Sequence, residues 1–440
     1  MTYLPSPDRL RGCATLLWVG VTLGVAGCLG NDSGLRTQQA ALGNQGASLA
    51  GLYRGLSDLQ SGRIERLNIL QIGDSHTAAD SFSGKLRNLF QDRFGNAGRG
   101  ALPPGTPFPY WRPRQVKVTQ VGGWEVLSSN RTDFPSAPYG ISGFILRSRG
   151  KSSSIGLAAE AAFDSAEISY FRQPSGGHID VRVDGTLVGE IDTRGSAYQL
   201  DHKAFSLSRG ASTLELKARG DGSVDIADWA IYRRERGVTL ASEGFIGAEI
   251  GIMDRWSSAN VATQLKELAP ALIILAFGTN EGFDSAERLS DYGSVFESRI
   301  RQLQAAAPRA SIVVVGPPDA NRLPSYCGSN RASRDAVSCA PLTSAESADY
   351  TKMLARRDRQ LCRWHTPPTI AYVREQQRLA AARTGVLFWD WSSVQGGECG
   401  ATRWALEGLG NKDRIHMTEG GYEQSGDRLF EELTKGYGRH

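Results

Sequence analysis

Short apolar runs alternate with stretches of helical periodicity in two separate parts of the chain. The apolar runs cover residues 67–72, 238–241, 271–277, 312–315 and 386–389. Continuous apolar runs of this length are typical of strands that are buried on both faces. Helical periodicity is found over roughly 256–268, 292–306, 346–363 and 368–383. The alternation predicts an α/β fold with a doubly wound parallel sheet.

A different pattern occupies residues 106–236, where short stretches alternate strictly between apolar and polar residues. Examples are 166–171, 179–183 and 186–191, and Asp184-Gly185 between the last two predicts a hairpin turn. Many short strands of this kind predict a β-sandwich. About 165 residues separate the first two core strands, so we expect the sandwich to be inserted into an α/β domain formed by residues 51–105 and 237–440.

The N-terminus has the pattern of an export signal. Arg9 and Arg11 precede an apolar stretch over 13–26 that ends in Val-Ala-Gly-Cys28. This ending resembles a bacterial lipoprotein box, which implies that residues 1–27 are removed and that Cys28 carries lipid. Residues 28–50 then form a flexible tether. An ordinary signal peptide or an uncleaved anchor remains as an alternative.

Composition and cysteines narrow the functional classes. The 440 residues are 40% hydrophobic and 22% charged with a net charge of +4, and no basic run suggests a nucleic-acid partner. Besides Cys13 and Cys28, four cysteines remain, an even number that predicts two disulfides in an oxidising compartment. Three pairings are possible, and we expect the pairs that follow sequence order, Cys327–Cys339 and Cys362–Cys399. No Cys-x-x-Cys spacing indicates a zinc site, so no metal or other cofactor is expected.

Polar residues able to do chemistry follow the predicted core strands. Gly73-Asp-Ser-His comes after the first strand, Gly247 after the second, Gly278-Thr-Asn-Glu after the third, and Asp413-Arg-Ile-His416 near the end of the chain. The carboxyl ends of parallel strands meet at one edge of a sheet, where ligands collect. Ser75 is therefore a candidate nucleophile, although Asp74 or Ser75 could simply cap the next helix.

These blocks, in this order, resemble those of the SGNH (GDSL-type) hydrolases. The four residues after which that family is named correspond to Ser75, Gly247, Asn280 and His416, and the family fold is flavodoxin-like. Gly73–Asp80, the glycine-rich stretch 95–100 and the inserted β domain most resemble Gram-negative peptidoglycan O-acetylesterases. Those periplasmic enzymes remove the acetyl group from the C6 hydroxyl of N-acetylmuramic acid and carry a β domain like a carbohydrate-binding module.

The resemblance implies a catalytic triad. His416 would take the proton of Ser75 and later return it to the leaving sugar oxygen, while Asp413 would orient the imidazole ring. Oxyanion donors would be the backbone N–H groups of Ser75 and Gly247 together with the side-chain amide of Asn280.

Two further residues are expected to support this arrangement. Asp74 should accept hydrogen bonds within the turn, and Gly278 precedes the asparagine of its block. His76 is expected to pack beside the site rather than act as the base. In the inserted domain, Trp124 is the aromatic residue we would test for sugar binding, whereas most other aromatic residues should fill the core.

The resulting hypothesis is an exported, monomeric lipoprotein that faces the periplasm, held on the outer membrane by its lipid. It would be a serine carbohydrate O-acetylesterase whose partner is O-acetylated peptidoglycan. The alternatives are a glycan O-acetyltransferase, an esterase of another acetylated polysaccharide, and a glycan-binding lipoprotein without activity.

Overall fold

The computed structural model describes residues 47–131, 137–150, 153–328 and 338–438. The predicted signal, Cys28 and nearly all of the predicted tether lie outside these ranges. Within them, no helix has the length and apolar character needed to cross a membrane.

A five-stranded parallel sheet forms the centre of the α/β part. Its strands are β1 (Arg66–Gly73), β11 (Gly237–Gly244), β12 (Leu272–Ala276), β13 (Ser311–Gly316) and β14 (Leu387–Asp390). Their order across the sheet is β11-β1-β12-β13-β14, which is the flavodoxin-like order 2-1-3-4-5 when only these strands are counted. The predicted fold class is confirmed.

Helices cover both faces of this sheet. In chain order, the helices of the described residues are α1 (Ala50–Gln60), α2 (Ser75–Ala78), α3 (Ser81–Phe94), α4 (Ser258–Leu268), α5 (Tyr292–Ala306), α6 (Ser344–Ala348), α7 (Tyr350–Ala355), α8 (Pro368–Thr384), α9 (Gly400–Leu406) and α10 (Glu419–Thr434). In β1, Leu67 and Ile69 pack with the helices α1, α3 and α10 on one face. Leu70 and Ile72 point to the other face and its helices α4, α5 and α8, as the twofold alternation of a strand requires.

One predicted helix is wrong. Residues 346–363 were expected to form a single helix, but they contain α6, α7 and a 3-10 turn over Arg359–Leu361. The helix is interrupted at Arg357, whose φ is +55°. Directly afterwards, the Asp358 side chain accepts a hydrogen bond from the Gln360 N–H and starts the new turn, a local bond with which aspartate competes against helix continuation.

The inserted part is an antiparallel set of nine strands. These are β2 (Gly100–Leu102), β3 (Val116–Val121), β4 (Trp124–Ser128), β5 (Phe144–Ser148), β6 (Ser154–Arg172), β7 (His178–Val183), β8 (Thr186–Asp192), β9 (Gln199–Ala218) and β10 (Val224–Tyr232). The long strand β6 pairs first with β3 and then with β10, and all parts enclose one core. The predicted β-sandwich insertion is confirmed, as is the β7–β8 hairpin at Asp184-Gly185.

A buried carboxylate joins the inserted domain to the α/β domain. Asp80 precedes α3, is only 2% exposed, and forms ion pairs with Arg87 (2.8 Å) and Arg99 (3.2 Å). It also accepts hydrogen bonds from the Arg114 backbone N–H and the Ser242 hydroxyl. Burial alone would raise the pKa of Asp80, but the two arginines outweigh it and hold the pKa well below its usual range.

The expected disulfide pairing is wrong, although all four cysteines are bonded. The structure pairs Cys327 with Cys362 and Cys339 with Cys399. The path of the segment from Cys362 to Thr366 explains why the pairs differ from the expected ones. Its start contacts Cys327, Trp364 lies beside Cys339, and the Thr366 hydroxyl accepts a hydrogen bond from the Cys399 N–H. Proximity in space, not order in sequence, therefore decides the pairs.

We predict that Asp80→Ala strongly lowers the free energy of unfolding. The substitution would leave Arg87 and Arg99 buried without a counter-charge, which typically costs about 3–5 kcal/mol. Urea unfolding followed by circular dichroism would measure this. Glu375→Ala, which removes the partner of Arg378 in an exposed pair, is the control and should leave stability nearly unchanged. Equal stabilities of the two variants would contradict the prediction.

Candidate active site

The nucleophile turn joins β1 to α2. Asp74 is the N-cap of α2, and its carboxylate accepts a hydrogen bond of 2.9 Å from the His76 N–H. A side chain at Gly73 would come within 2.4 Å of both the Thr77 hydroxyl and the Ala276 carbonyl, so the turn tolerates only glycine there. Ser75 is consequently the first residue of a helix, where a backbone N–H has no intrahelical acceptor.

A hydrogen-bonded line connects serine, histidine and aspartate. Ser75 Oγ lies 2.9 Å from His416 Nε2, and His416 Nδ1 lies 2.7 Å from Asp413 Oδ2. Ser75 and His416 come from opposite ends of the chain, and they meet because their loops lie at the carboxyl edge of the sheet. This is the arrangement in which a histidine activates a serine hydroxyl and a carboxylate orients the ring.

The interaction between His416 and Asp413 favours the charged forms of both side chains. The hydrogen bond that His416 donates to Asp413 raises the pKa of His416 above its ordinary value of 6.5, against the opposing effect of burial. Burial tends to raise the pKa of Asp413, but bonds from His416 and the Ile415 N–H lower it to about 2. Asp413 is therefore ionised, the state in which a carboxylate stabilises a neighbouring imidazolium.

The loop that carries Asp413 and His416 is held by a segment that we did not single out from sequence. The Asn321 N–H donates to the Arg414 carbonyl at 2.8 Å, and the Asn321 side chain accepts bonds from the Thr402 N–H and hydroxyl. This segment lies beside the Cys339–Cys399 disulfide. Nothing in its sequence indicates the role, because each contact depends on tertiary packing.

His76 lies behind the triad and is not the base. Its Nδ1 is 2.9 Å from the Tyr422 hydroxyl, and its ring centroid is 5.2 Å from that of His416. Burial lowers the pKa of His76 to about 3. The neutral ring therefore packs against His416 without adding a second positive charge there, in the position beside the site that was predicted.

Asp74 is buried next to the nucleophile. Burial raises the pKa of Asp74 to about 6, although hydrogen bonds from His76 and Thr279 oppose the rise. The carboxyl thus ties the serine turn to the Gly278-Thr-Asn block. Gly278 itself has a φ of +126°, and a side chain there would meet the Gln377 amide at 2.6 Å, so both expected supporting residues have structural reasons for their identity.

The loop that follows β11 contains Gly247, the expected oxyanion donor, and is called the oxyanion loop for that reason. The Ala248 N–H donates to the Phe245 carbonyl at 3.2 Å, which closes a β-turn with Ile246 and Gly247 at its centre. Gly247 has a φ of +72° while Ile246 does not have a positive φ, the combination of a type II turn. Gly247 is exposed towards solvent at the same edge as Ser75.

The third block anchors this loop. The Asn280 side-chain amide donates to the Ala248 carbonyl at 2.8 Å, and an amide of this kind carries a second N–H donor. The buried Glu281 carboxylate accepts a bond of 2.8 Å from the Ile250 N–H, and burial raises the pKa of Glu281 to about 8. We did not predict a role for Glu281, although its place directly after Asn280 is a usable signal.

The inserted domain presents few aromatic residues to solvent. Of the residues expected in the core, Trp111, Tyr139, Tyr170, Phe171 and Trp229 are all buried. Trp124, which we would have tested for sugar binding, is half-buried and donates its indole N–H to the Ser154 carbonyl at 3.2 Å. Its ring packs against the core of the sandwich.

Comparison with known proteins identifies the fold. No protein-family model and no curated protein sequence matches the chain. A solved structure of a peptidoglycan O-acetylesterase superimposes with a TM-score of 0.68 at 23% identity, covering 88% of this chain and 95% of that one. A family 2 carbohydrate esterase from Clostridium thermocellum with cellohexaose gives 0.27 at 12% identity, covering 71% and 98%. A salicylyl-acyltransferase from a tetracycline pathway gives 0.30 at 13%, covering 75% and 95%. The first match shows a shared fold over nearly the full length, and the other two scores carry no argument.

We predict that Gly247→Ala reduces turnover because it strains the backbone, not because the new methyl group clashes with a neighbour. A Cβ at this position meets nothing within 4 Å, but a left-handed φ costs an alanine about 1–2 kcal/mol. Relief of the strain by a change of turn type would move the Gly247 N–H, and loss of an oxyanion donor costs about 10²–10³-fold in kcat.

Gly185→Ala is the matched control for this prediction. Gly185 lies in the β7–β8 hairpin, has a φ of +77° and also has free space at its Cβ. Both variants should lose similar stability, but only Gly247→Ala should lose kcat for ester hydrolysis. A kcat equal to that of the control would contradict a role for Gly247 in the site.

We predict that Asp413→Asn shifts the pH dependence of kcat/KM towards acid. The base must be neutral, so activity rises through the pKa of His416, which Asp413 holds above 6.5. Without the carboxylate the imidazolium is less favoured, the pKa falls, and the acidic limb moves to lower pH. The plateau should drop by about 10²–10⁴-fold because ring orientation is lost. An acidic limb that stays in place would contradict this assignment, and Glu375→Gln serves as a surface control.

Proposed function

We propose that this chain is a serine carbohydrate O-acetylesterase that removes acetyl groups from peptidoglycan. The observation that carries the proposal is the Ser75–His416–Asp413 line on the fold of a peptidoglycan O-acetylesterase. The substrate assignment draws on that neighbour and on the sequence blocks that resemble such enzymes. The same line supports the chemistry independently of the substrate.

Acylation begins at Ser75. His416 Nε2 accepts the hydroxyl proton as Ser75 Oγ attacks the acetyl carbonyl carbon, and Asp413 stabilises the resulting imidazolium. The negative oxygen of the tetrahedral intermediate is bound by the N–H groups of Ser75 and Gly247 and by the Asn280 amide. When the intermediate collapses, His416 returns the proton to the sugar oxygen, which leaves as a hydroxyl.

Deacylation repeats the same steps with water. His416 accepts a proton from water, the hydroxide attacks the acetyl-serine carbonyl, and the bond to Ser75 Oγ breaks as it regains a proton. Acetate is released and the triad returns to its starting state. A glycan hydroxyl in place of water would complete an acetyl transfer, so the acceptor alone separates an esterase from a transferase.

The setting we propose is the periplasmic face of the outer membrane. It rests on the N-terminal signal pattern, on Cys28 as a lipidation site and on the four cysteines in disulfides, which persist in oxidising compartments. A protein held there by lipid reaches the cell-wall polymer directly. Several acyl chains on one residue give stable anchoring, whereas one chain does not.

We predict that the full-length protein releases acetate from O-acetylated sacculi and that Ser75→Ala abolishes this release. The variant should retain the wild-type circular dichroism spectrum and unfolding midpoint, because Ser75 is not fully buried and the change removes a single hydroxyl. Chromatography of released acetate provides the measurement.

The controls separate the rival functions. Release of acetate from acetylated xylan but not from sacculi would show that the substrate is another polysaccharide. Transfer of acetate to an added glycan oligomer faster than to water would make the protein a transferase. Binding to sacculi with no acetate release from any ester would overturn the enzymatic proposal.

A further inference from the structure

The orientation of the oxyanion donor at Gly247 depends on a single peptide unit. The Gly247 N–H belongs to the same planar trans peptide as the Ile246 carbonyl, so the two groups point in opposite directions. Type I and type II turns differ mainly by a reversal of this central peptide. Whatever holds the Ile246 oxygen therefore also decides where the Gly247 N–H points.

The Ile246 oxygen is held by the inserted domain. Asn130, in the turn after β4, donates its side-chain amide N–H to the Ile246 carbonyl at 2.7 Å. Among the described residues, the Gly247 N–H on the opposite side of the peptide has no acceptor. The Asn130 bond therefore stabilises the turn that leaves this N–H free to bind a ligand.

Asn130 is itself positioned from both sides. The Arg255 guanidinium donates to the carbonyls of Ser129 and Arg131, both at 2.9 Å. The Trp256 indole N–H donates to the Ser129 hydroxyl at 3.1 Å. A residue bracketed in this way presents its side chain in a defined direction, although it lies at the surface.

We propose that Asn130 is a positioning residue of the oxyanion hole, which holds the Ile246–Gly247 peptide so that the Gly247 N–H faces the reacting carbonyl. The proposal rests on the acyl-transfer function proposed for Ser75. Its chemistry is limited to hydrogen bonding: the amide N–H of Asn130 polarises the Ile246 carbonyl, which strengthens the N–H of the same peptide as a donor. The inserted domain thereby contributes to catalysis besides any part in binding glycan.

The test compares the kcat and KM of Asn130→Ala with those of Asn260→Ala. The two assays are acetate release from O-acetylated sacculi and hydrolysis of p-nitrophenyl acetate. Asn260 makes an equivalent bond between the two parts of the chain, from its amide to the Pro138 carbonyl at 2.7 Å, but does not contact the oxyanion loop. Asn130→Ala should lower kcat by about 10–100-fold, less than the loss of a whole donor, with KM within about twofold. Asn260→Ala should keep wild-type kcat, and the unfolding midpoints of both should agree.

Two further variants distinguish positioning from a general structural effect. Asn130→Gln keeps the amide and should recover part of the lost kcat, whereas Asn130→Asp, without a donor, should not. Combined with Gly247→Ala, Asn130→Ala should add little further loss, because both changes act on one peptide. Multiplicative losses in the double variant would overturn the proposal.

The outcomes also separate this proposal from the function on which it rests. If the wild type is active and Ser75→Ala is not, but Asn130→Ala equals Asn260→Ala, the positioning role is wrong and the esterase stands. If the wild type and Ser75→Ala release acetate equally, the proposed function is wrong.

Discussion

The arrangement of the two domains depends on one buried carboxylate. Asp80 lies five residues after the nucleophile and bonds to arginines on both sides, one in α3 and one at the start of the insertion. Its two oxygens also accept bonds from Arg114 and from Ser242 of β11. A charge buried without such partners would be unstable. The network therefore specifies one relative position of the nucleophile helix, strand β11 and the inserted domain.

That position matters because the catalytic groups come from loops far apart in sequence. Ser75 follows β1, Gly247 follows β11, and Asn280 follows β12, so the parallel sheet brings them to one edge. His416 arrives last, on a loop held by Asn321. The position of Ser75 opposite His416 thus depends on β1 ending at the correct level. The helix-covered strands β1, β11 and β12, which are almost entirely buried, supply that precision.

The loop after β11 makes hydrogen bonds with both the α/β domain and the insertion. Asn280 holds the Ala248 carbonyl and Glu281 the Ile250 N–H, both from the α/β domain. The third contact, to the Ile246 carbonyl, comes from Asn130 across the domain boundary. The inserted β domain is in this way linked to the turn that contains Gly247. Asp80 contacts β11 at Ser242, near the carboxyl end of the strand, and Asn130 contacts the exposed loop that follows it.

The sequence pattern was sufficient for the fold class, the insertion and the catalytic candidates. Continuous apolar runs indicate strands that are buried on both faces, and most of the candidate catalytic residues follow such strands. Both features can be recognised from short stretches of sequence. The sequence pattern failed where contacts between distant segments decide. The cysteines pair through the path of the segment at Cys362–Thr366, and neither Asn130 nor Asn321 has a local signature. The predicted helix at 346–363 failed for a local reason, because the left-handed Arg357 and the Asp358 side chain end it and start a new turn. Hydrophobic periodicity depends on neighbouring residues and can be recognised in the sequence. A hydrogen bond between loops more than 90 residues apart forms only once the strands have aligned, so the sequence pattern does not reveal it.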